Sequence, residues 1–415
     1  MKEPKLRFKA DDGKGFPDWD AKRLGTLMSF KNGINASGDK FGQGIKCISV
    51  MDILNNPYIM YDVIKGSVDV DEKTLQNFLV EYGDAVFQRS SENVQDAGRA
   101  NVYMDKENSA TFSGFVIRGK RIANYEPWFM NAMLNTFFVR KQIMSKAQGA
   151  QHINIGQEIL SSVVVKMPSL PEQQKIADFL STIDTIIEKQ RATVSAWEER
   201  KKGVMQKLFS QEVRFKADDG SDFPDWEECT VGELFVPVVK KNKDGSIQNV
   251  ITNSAQYGLI PQRDFFDKDI AIKENTSNYT IIQNGDFVYN PRKSTTAPFG
   301  PFNIYERDEA GIVSPLYTCL TPKYKEMTPY LSWYFRTNKW HPYIVTHGAQ
   351  SGARHDRVGM TATLMNGIPV IYPSLPEQQK IADCLSALDA VIEQQKETLE
   401  KWQELKKGLL QQMFV

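Results

Sequence analysis

The 415 residues leave room for two or three domains, each able to bury its own core, and 41% hydrophobic with 25% charged residues is the make-up of a soluble globular protein. Basic and acidic side chains balance at 51 each, so a nucleic-acid surface must come from local segregation of charge, and composition alone neither supports nor excludes DNA. Four widely spaced cysteines (Cys47, Cys229, Cys319, Cys384) argue against a disulfide framework or zinc site, and no apolar run is long enough for a signal region or a bilayer span, so a cytoplasmic protein with reduced thiols is expected.

Near the N-terminus, Arg7-Phe-Lys-Ala-Asp-Asp-Gly13 recurs as Arg214 to Gly220, and Phe16-Pro-Asp-Trp19 recurs as Phe223 to Trp226, both at an offset of 207. A repeat of that kind marks one structural unit used twice. The region from about 20 to 165 has strand-like runs such as Ile45 to Val50, set between Gly, Asn and Asp turns, and reads as a sheet-rich mixed α/β head.

From Pro168 to Phe209 the chain predicts one long amphipathic helix, and a second copy runs from Pro373 to Phe414. Pro168 to Asp178 is identical to Pro373 to Asp383, at an offset of 205. Pro171 and Pro376 suit a first helical turn, and Glu172 and Glu377 suit the positive end of the helix dipole. Apolar residues recur every seven positions, as Ile176, Ile183, Trp197 and Val204 with Phe179 and Ile186 in a second phase ending at Lys207. The second copy gives Ile381, Leu388, Trp402 and Leu409, with Cys384, Val391 and Leu405. A sustained heptad asks for a partner helix, and the obvious partner is the other copy; the alternative is two core helices in separate domains. Gln190 and Gln395 fall at the middle of the seam, where a polar residue fixes register at some cost in stability. Lys201, Lys202, Lys406 and Lys407 lie near the helix ends, where cations suit the dipole.

The second head, about 227 to 370, has diverged from the first except at landmarks. Gly83-Asp84-Ala-Val-Phe87 aligns with Gly285-Asp286-Phe-Val-Tyr289, a turn into a strand, and Gly149-Ala-Gln-His152 aligns with Gly352-Ala-Arg-His355. The order is therefore tail and head over 1–167, helix over 168–209, tail and head over 210–372, and helix over 373–415. The first tail is the counterpart of the segment following the first helix, which predicts that residues 1 to 15 dock near the end of the second helix. Two like scaffolds carrying unlike heads suggest a clamp that reads two things, held apart by helices of roughly 60 Å.

The doubled Pro-Ser-Leu-Pro-Glu-Gln-Gln-Lys-Ile-Ala helix start, the Lys-Lys-Gly near each helix end and the Gly-Asp landmarks resemble the specificity subunits of type I restriction-modification enzymes, over essentially the whole chain. The resemblance implies an α/β (α+β) protein in which two target recognition domains are joined by two long antiparallel helices forming a coiled coil with a pseudo-two-fold internal repeat. It implies a non-catalytic subunit whose domains each read one half of a bipartite, asymmetric DNA site. The helices would act as a ruler for the unread spacer and as a dock for two modification (methyltransferase) subunits. Those partners would carry S-adenosylmethionine and methylate adenine, and restriction subunits would use ATP and Mg to translocate and cut DNA. No cofactor is implied in this chain. An architectural coiled-coil scaffold whose heads bind proteins is the alternative.

Base reading in the major groove needs Arg, Lys, Asn or Gln at base edges, supported by basic and hydroxyl side chains on phosphates. After the first Gly-Asp strand stand Gln88, Arg89 and Ser90, with Arg99 beyond; after the second stand Asn290, Arg292, Lys293 and Ser294. A further pair of candidate loops holds Gln151 and Asn154 in one head and Arg354 and Arg357 in the other. A solvated surface role is the alternative for each of these. His152 and His355 could contact phosphate or cap a turn, and no carboxylate cluster nearby suggests a metal.

Enzyme motifs are incomplete. Asp39-Lys-Phe-Gly-Gln-Gly44 resembles a methyltransferase cofactor turn but precedes a strand-like run instead of opening a helix, and Asn55-Asn-Pro-Tyr58 lacks one proline of the corresponding catalytic loop. No phosphate loop or nucleophile elbow is present, and the Glu-x-Lys triplets Glu199 to Lys201 and Glu404 to Lys406 lie in the helices. No active site is expected in this chain.

Overall fold

The computed structural model describes residues 4–147, 153–265, 276–348 and 356–414. Two compact units emerge, one formed by Met1–Ala192 with Glu397–Val415 and the other by Thr193–Lys396. Both divisions fall within the long helices, Leu170–Phe209 and Leu375–Met413.

In the first unit an antiparallel four-stranded sheet runs in the order Met28–Asn32, Val116–Arg121, Ala85–Gln88, Ala100–Val102. A smaller sheet places Phe41–Ile48 between Ser67–Val68 and Thr111–Phe112, the latter in parallel with Cys47 opposite Thr111. The second unit repeats this plan. Phe235–Pro237, Thr318–Pro322, Phe287–Tyr289 and Phe302–Ile304 form its first sheet, antiparallel throughout. Its second sheet has four strands where the first unit has three, in the order Gly258–Pro261, Val250–Ser254, Gly311–Val313, Thr280–Ile282, and again joins its middle pair in parallel, Val250 opposite Ile312. A two-stranded ribbon closes each unit beside its helix start, Asp20–Arg23 with Val164–Met167 and Glu227–Thr230 with Pro369–Tyr372. The heads have thus lost common sequence but kept sheet order, because strand pairing and burial fix residue class far more tightly than identity.

Each helix start is tied to a tail by one buried carboxylate. Glu172 is fully buried and takes two hydrogen bonds from Arg7, at 3.0 and 2.8 Å, and one from Trp19 Nε1 at 3.2 Å. Glu377, equally buried, takes the same three from Arg214, at 3.1 and 2.7 Å, and from Trp226 at 3.3 Å. A planar guanidinium fork matched to a carboxylate satisfies a charge that burial alone would make costly. Lys175 with Asp11 and Lys380 with Asp218 add a second tie at the surface. Leu6 N–H donates to Gln412 O, so the first tail also reaches the end of the second helix, as the repeat leads one to expect.

Within each unit the two helix segments run in opposite directions. In the first, Ile176, Ala177 and Leu180 share a core with Met413 and Phe414, and further along Asp184 pairs with Lys406. In the second, Ile381, Ala382 and Leu385 share a core with Leu208 and Phe209, followed by Asp389 with Lys201 and Lys396 with Glu198 at 3.1 Å. Numbers rise on one helix as they fall on the other.

The expected seam phase holding Ile176, Ile183, Gln190 and Trp197 runs from buried to half-buried, and its counterpart Ile381, Leu388, Gln395 and Trp402 does the same. The second phase differs from expectation by one residue. Leu180, Ile187, Val194 and Leu208 are buried where Phe179 and Ile186 are half-buried and Lys207 exposed. In the other helix Leu385, Ile392 and Met413 are buried, not Cys384, Val391 or Leu405. The alternation of three and four that keeps one stripe on one side runs 173, 176, 180, 183, 187, 190, 194, and that stripe carries Lys201 and Lys406. These lysines are half-buried partners of Asp389 and Asp184 rather than only cations at a helix end.

Candidate nucleic-acid interface

Both candidate reading loops leave the same kind of turn. Gly83 and Gly285 take φ of 89° and 91°, in the left-handed region that favours glycine. The following Asp84 accepts from Glu81 N–H at 3.1 Å and Arg121 N–H at 2.8 Å, while Asp286 accepts from Gln283 N–H at 2.7 Å and the Thr321 hydroxyl at 2.5 Å. Burial pushes both carboxyls above the usual range although these donors pull the other way. The turn feeds a strand, Ala85–Gln88 or Phe287–Tyr289, whose residues are all buried, so the first residues able to meet a ligand are those that follow.

In the first unit Gln88, Arg89, Ser90, Arg99 and Asn154 converge. Gln88 N–H donates to Arg99 O at 2.8 Å, Ile155 N–H donates to Arg89 O at 2.9 Å, and Ser90–Ser91 pairs with Ile153–Asn154. The Ser90 hydroxyl donates to Asn154 Oδ1 at 2.5 Å. Gln88 itself is buried and its amide donates to Ser90 O at 2.9 Å, while Arg99 is half-exposed and paired with Asp96 at 2.9 Å. Behind it Arg140 is pulled down to about 10 by burial and by the Arg99 cation. Gln151 and His152 lie outside the described residues.

In the second unit the same junction is cationic. Arg292 and Arg357 form the bridge that corresponds to Ser90 with Asn154, Lys293 N–H donates to Asp356 O at 2.9 Å, and Val358 N–H donates to Pro291 O at 2.8 Å. Asn290 Oδ1 accepts from Arg292 N–H at 3.0 Å and the Ser294 hydroxyl accepts from Ala297 N–H at 3.0 Å, so these two side chains shape the loop. Asp356 stands 4.0 Å from Arg292 Nε and 3.8 Å from Arg357 Nε. Arg354 and His355 lie outside the described residues.

Arg292, Lys293 and Arg357 line a cleft of about 390 Å³ together with Thr252, Ser254 and Gln256. Those last three were not foreseen. For Thr252 and Ser254 the signal is the alternation along Val250–Ser254, in which both are half-exposed beside buried Ile251 and Asn253, while Gln256 lies beyond that strand. The arrangement offers hydroxyl, amide and guanidinium groups to a polyanion with readable edges.

Burial raises Cys47 and Cys319 to about 12 and Cys229 to about 11, so these thiols are poor nucleophiles and metal ligands. Among the described residues no three His, Cys, Asp or Glu side chains are grouped as metal ligands, and no described helix is long and apolar enough to cross a membrane.

A family model for the type I restriction modification DNA specificity domain matches residues 18–194 and again 224–401. The chain belongs to that family and carries its domain twice. It is 23% identical to a Methanocaldococcus jannaschii protein assigned as the MjaX type I restriction enzyme specificity subunit, over 97% of this chain and 94% of that one. The MjaVIII specificity subunit of the same organism is 30% identical over 111 residues, 26% of this chain and 25% of the relative. Among solved structures, the S subunit of a type I restriction-modification system from M. genitalium superposes with a TM-score of 0.52 at 15% identity, covering 100% of this chain and 99% of that one. A chain from another type I system gives 0.54 at 15% identity, covering 96% and 98%. These superpositions bear on the fold.

Proposed function

We propose that the chain is the non-catalytic specificity subunit of a type I restriction-modification complex, in which each domain reads one half of a bipartite DNA site. The observation that carries this is the repeat-equivalent junction, built the same way twice but furnished with Ser90 and Asn154 in one domain and Arg292 and Arg357 in the other. One scaffold with two chemistries is what reading two unlike half-sites requires. The long helices set the unread spacer and supply the dock for two modification subunits, which bring S-adenosylmethionine. Restriction subunits bring ATP and Mg.

The test uses the full complex and duplexes carrying the sequence it methylates, mapped from modified adenines. Arg292→Ala and Arg357→Ala should each weaken binding by roughly tenfold and relax discrimination in one half-site, leaving the other half read as before. Binding that ignores ionic strength and sequence, or a loss spread equally over both halves, would refute the assignment.

A further inference from the structure

The turns Ser113 to Val116 and Ser314 to Tyr317 hold the same place in the two domains. Each follows a strand paired in parallel, Thr111–Phe112 with Phe41–Ile48 or Gly311–Val313 with Val250–Ser254, and leads into the antiparallel four-stranded sheet at Val116–Arg121 or Thr318–Pro322. Each is closed by the same hydrogen bond, Val116 N–H to Ser113 O at 2.9 Å and Tyr317 N–H to Ser314 O at 3.0 Å. At the third position of each stands a large apolar side chain in solvent, Phe115 67% exposed and Leu316 56% exposed. One exposed apolar residue is ordinary. Two at one position of domains that share little other sequence ask for a cause.

The surroundings supply it. Arg89 N–H donates to Phe115 O at 2.9 Å and Arg89 Nη1 to Gly114 O at 3.2 Å, so a candidate reader braces the loop. A Cβ on Gly114 would stand 1.7 Å from Asn35 Oδ1, so the turn packs directly against that side chain. In the second domain Pro315 follows Ser314 and fixes φ, and Leu316 lines the cleft that holds Arg292, Lys293 and Arg357. A stiff loop with an apolar tip beside cations fits a base, with its thymine methyl or ring face, rather than a phosphate.

We propose that Phe115 and Leu316 are matching apolar contacts to DNA bases, one in each recognition domain, packing on the half-site while the neighbouring polar groups take edges and phosphates. This rests on the DNA-reading function proposed above. The experiment compares the duplex methylated by the wild-type complex with a scrambled duplex, using the full chain and its modification subunits. Phe115→Ser should bind the cognate duplex roughly tenfold more weakly with an unchanged salt slope, whereas Phe115→Leu stays within about threefold. Leu316→Ser should show the same loss, mapped by base substitution to the other half-site. Cognate affinity retained in both serine variants, or an equal loss on both duplexes, overturns the proposal. A wild-type complex with no preference for the bipartite duplex would instead refute the function on which it rests.

Discussion

Glu172 and Glu377 carry more of the architecture than their neighbours. Each is a fully buried carboxylate holding a tail arginine and a tail tryptophan from more than 150 residues away in sequence. Removing the cation leaves a buried charge with too few donors, so Arg214→Ala should cost about 2–3 kcal/mol, read from urea unfolding, and Arg214→Lys somewhat less. An unchanged midpoint in Arg214→Ala would mean that the fork contributes only geometry. Sequence placed both glutamates in a first helical turn and explained them by the helix dipole. It also showed Arg7 and Arg214 in repeated blocks, but nothing local says that two repeated blocks meet. The candidate readers were legible in the same limited sense. Their loops were placed by the Gly-Asp turns, while the burial of Gln88 and the pairing of Arg99 with Asp96 depend on contacts that residue type cannot reveal.

At the scale of the helices, period was readable and phase only half so. A heptad written with residues 176 and 179 and one written with 176 and 180 differ by a single position, and both pass through apolar side chains. What separates them is the half-buried lysine in the stripe, Lys201 or Lys406, which looks like a surface residue until an aspartate on the facing helix is found. Asp184 with Lys406 and Asp389 with Lys201 sit at the same places in the repeat, each with both side chains about one-third exposed or less. Exchanging the charges of one pair tests whether it sets register: Asp184→Lys and Lys406→Asp should each destabilise alone, and the double variant should recover about 1 kcal/mol of coupling. Additive losses would show that the two side chains act independently.

For the molecule as a whole, repetition was the strongest signal. Sequence showed it in tails, helices and the Gly-Asp turns, and the structure extends it to sheet order and ribbon, where the letters had changed beyond recognition. The proposed ruler makes a prediction at this scale. Inserting residues between a domain and its long helix should lengthen or shorten the unread spacer by whole base pairs while both half-sites stay the same, as read by mapping methylated adenines. A spacer unmoved by such insertions would remove the helices from that role.

Met413 and Phe414 belong to the core of the unit that begins at the N-terminus, where Phe414 meets Trp19 and Phe129 with ring centroids 6.1 and 5.5 Å apart. Thr193–Lys396, by contrast, is one uninterrupted stretch. On the ribosome, the unit whose synthesis starts first must therefore wait, its apolar interior unsealed, until the other has been translated from end to end. A message cut short between codons 397 and 413 would release a protein in which the later-made unit can finish folding and the earlier one cannot.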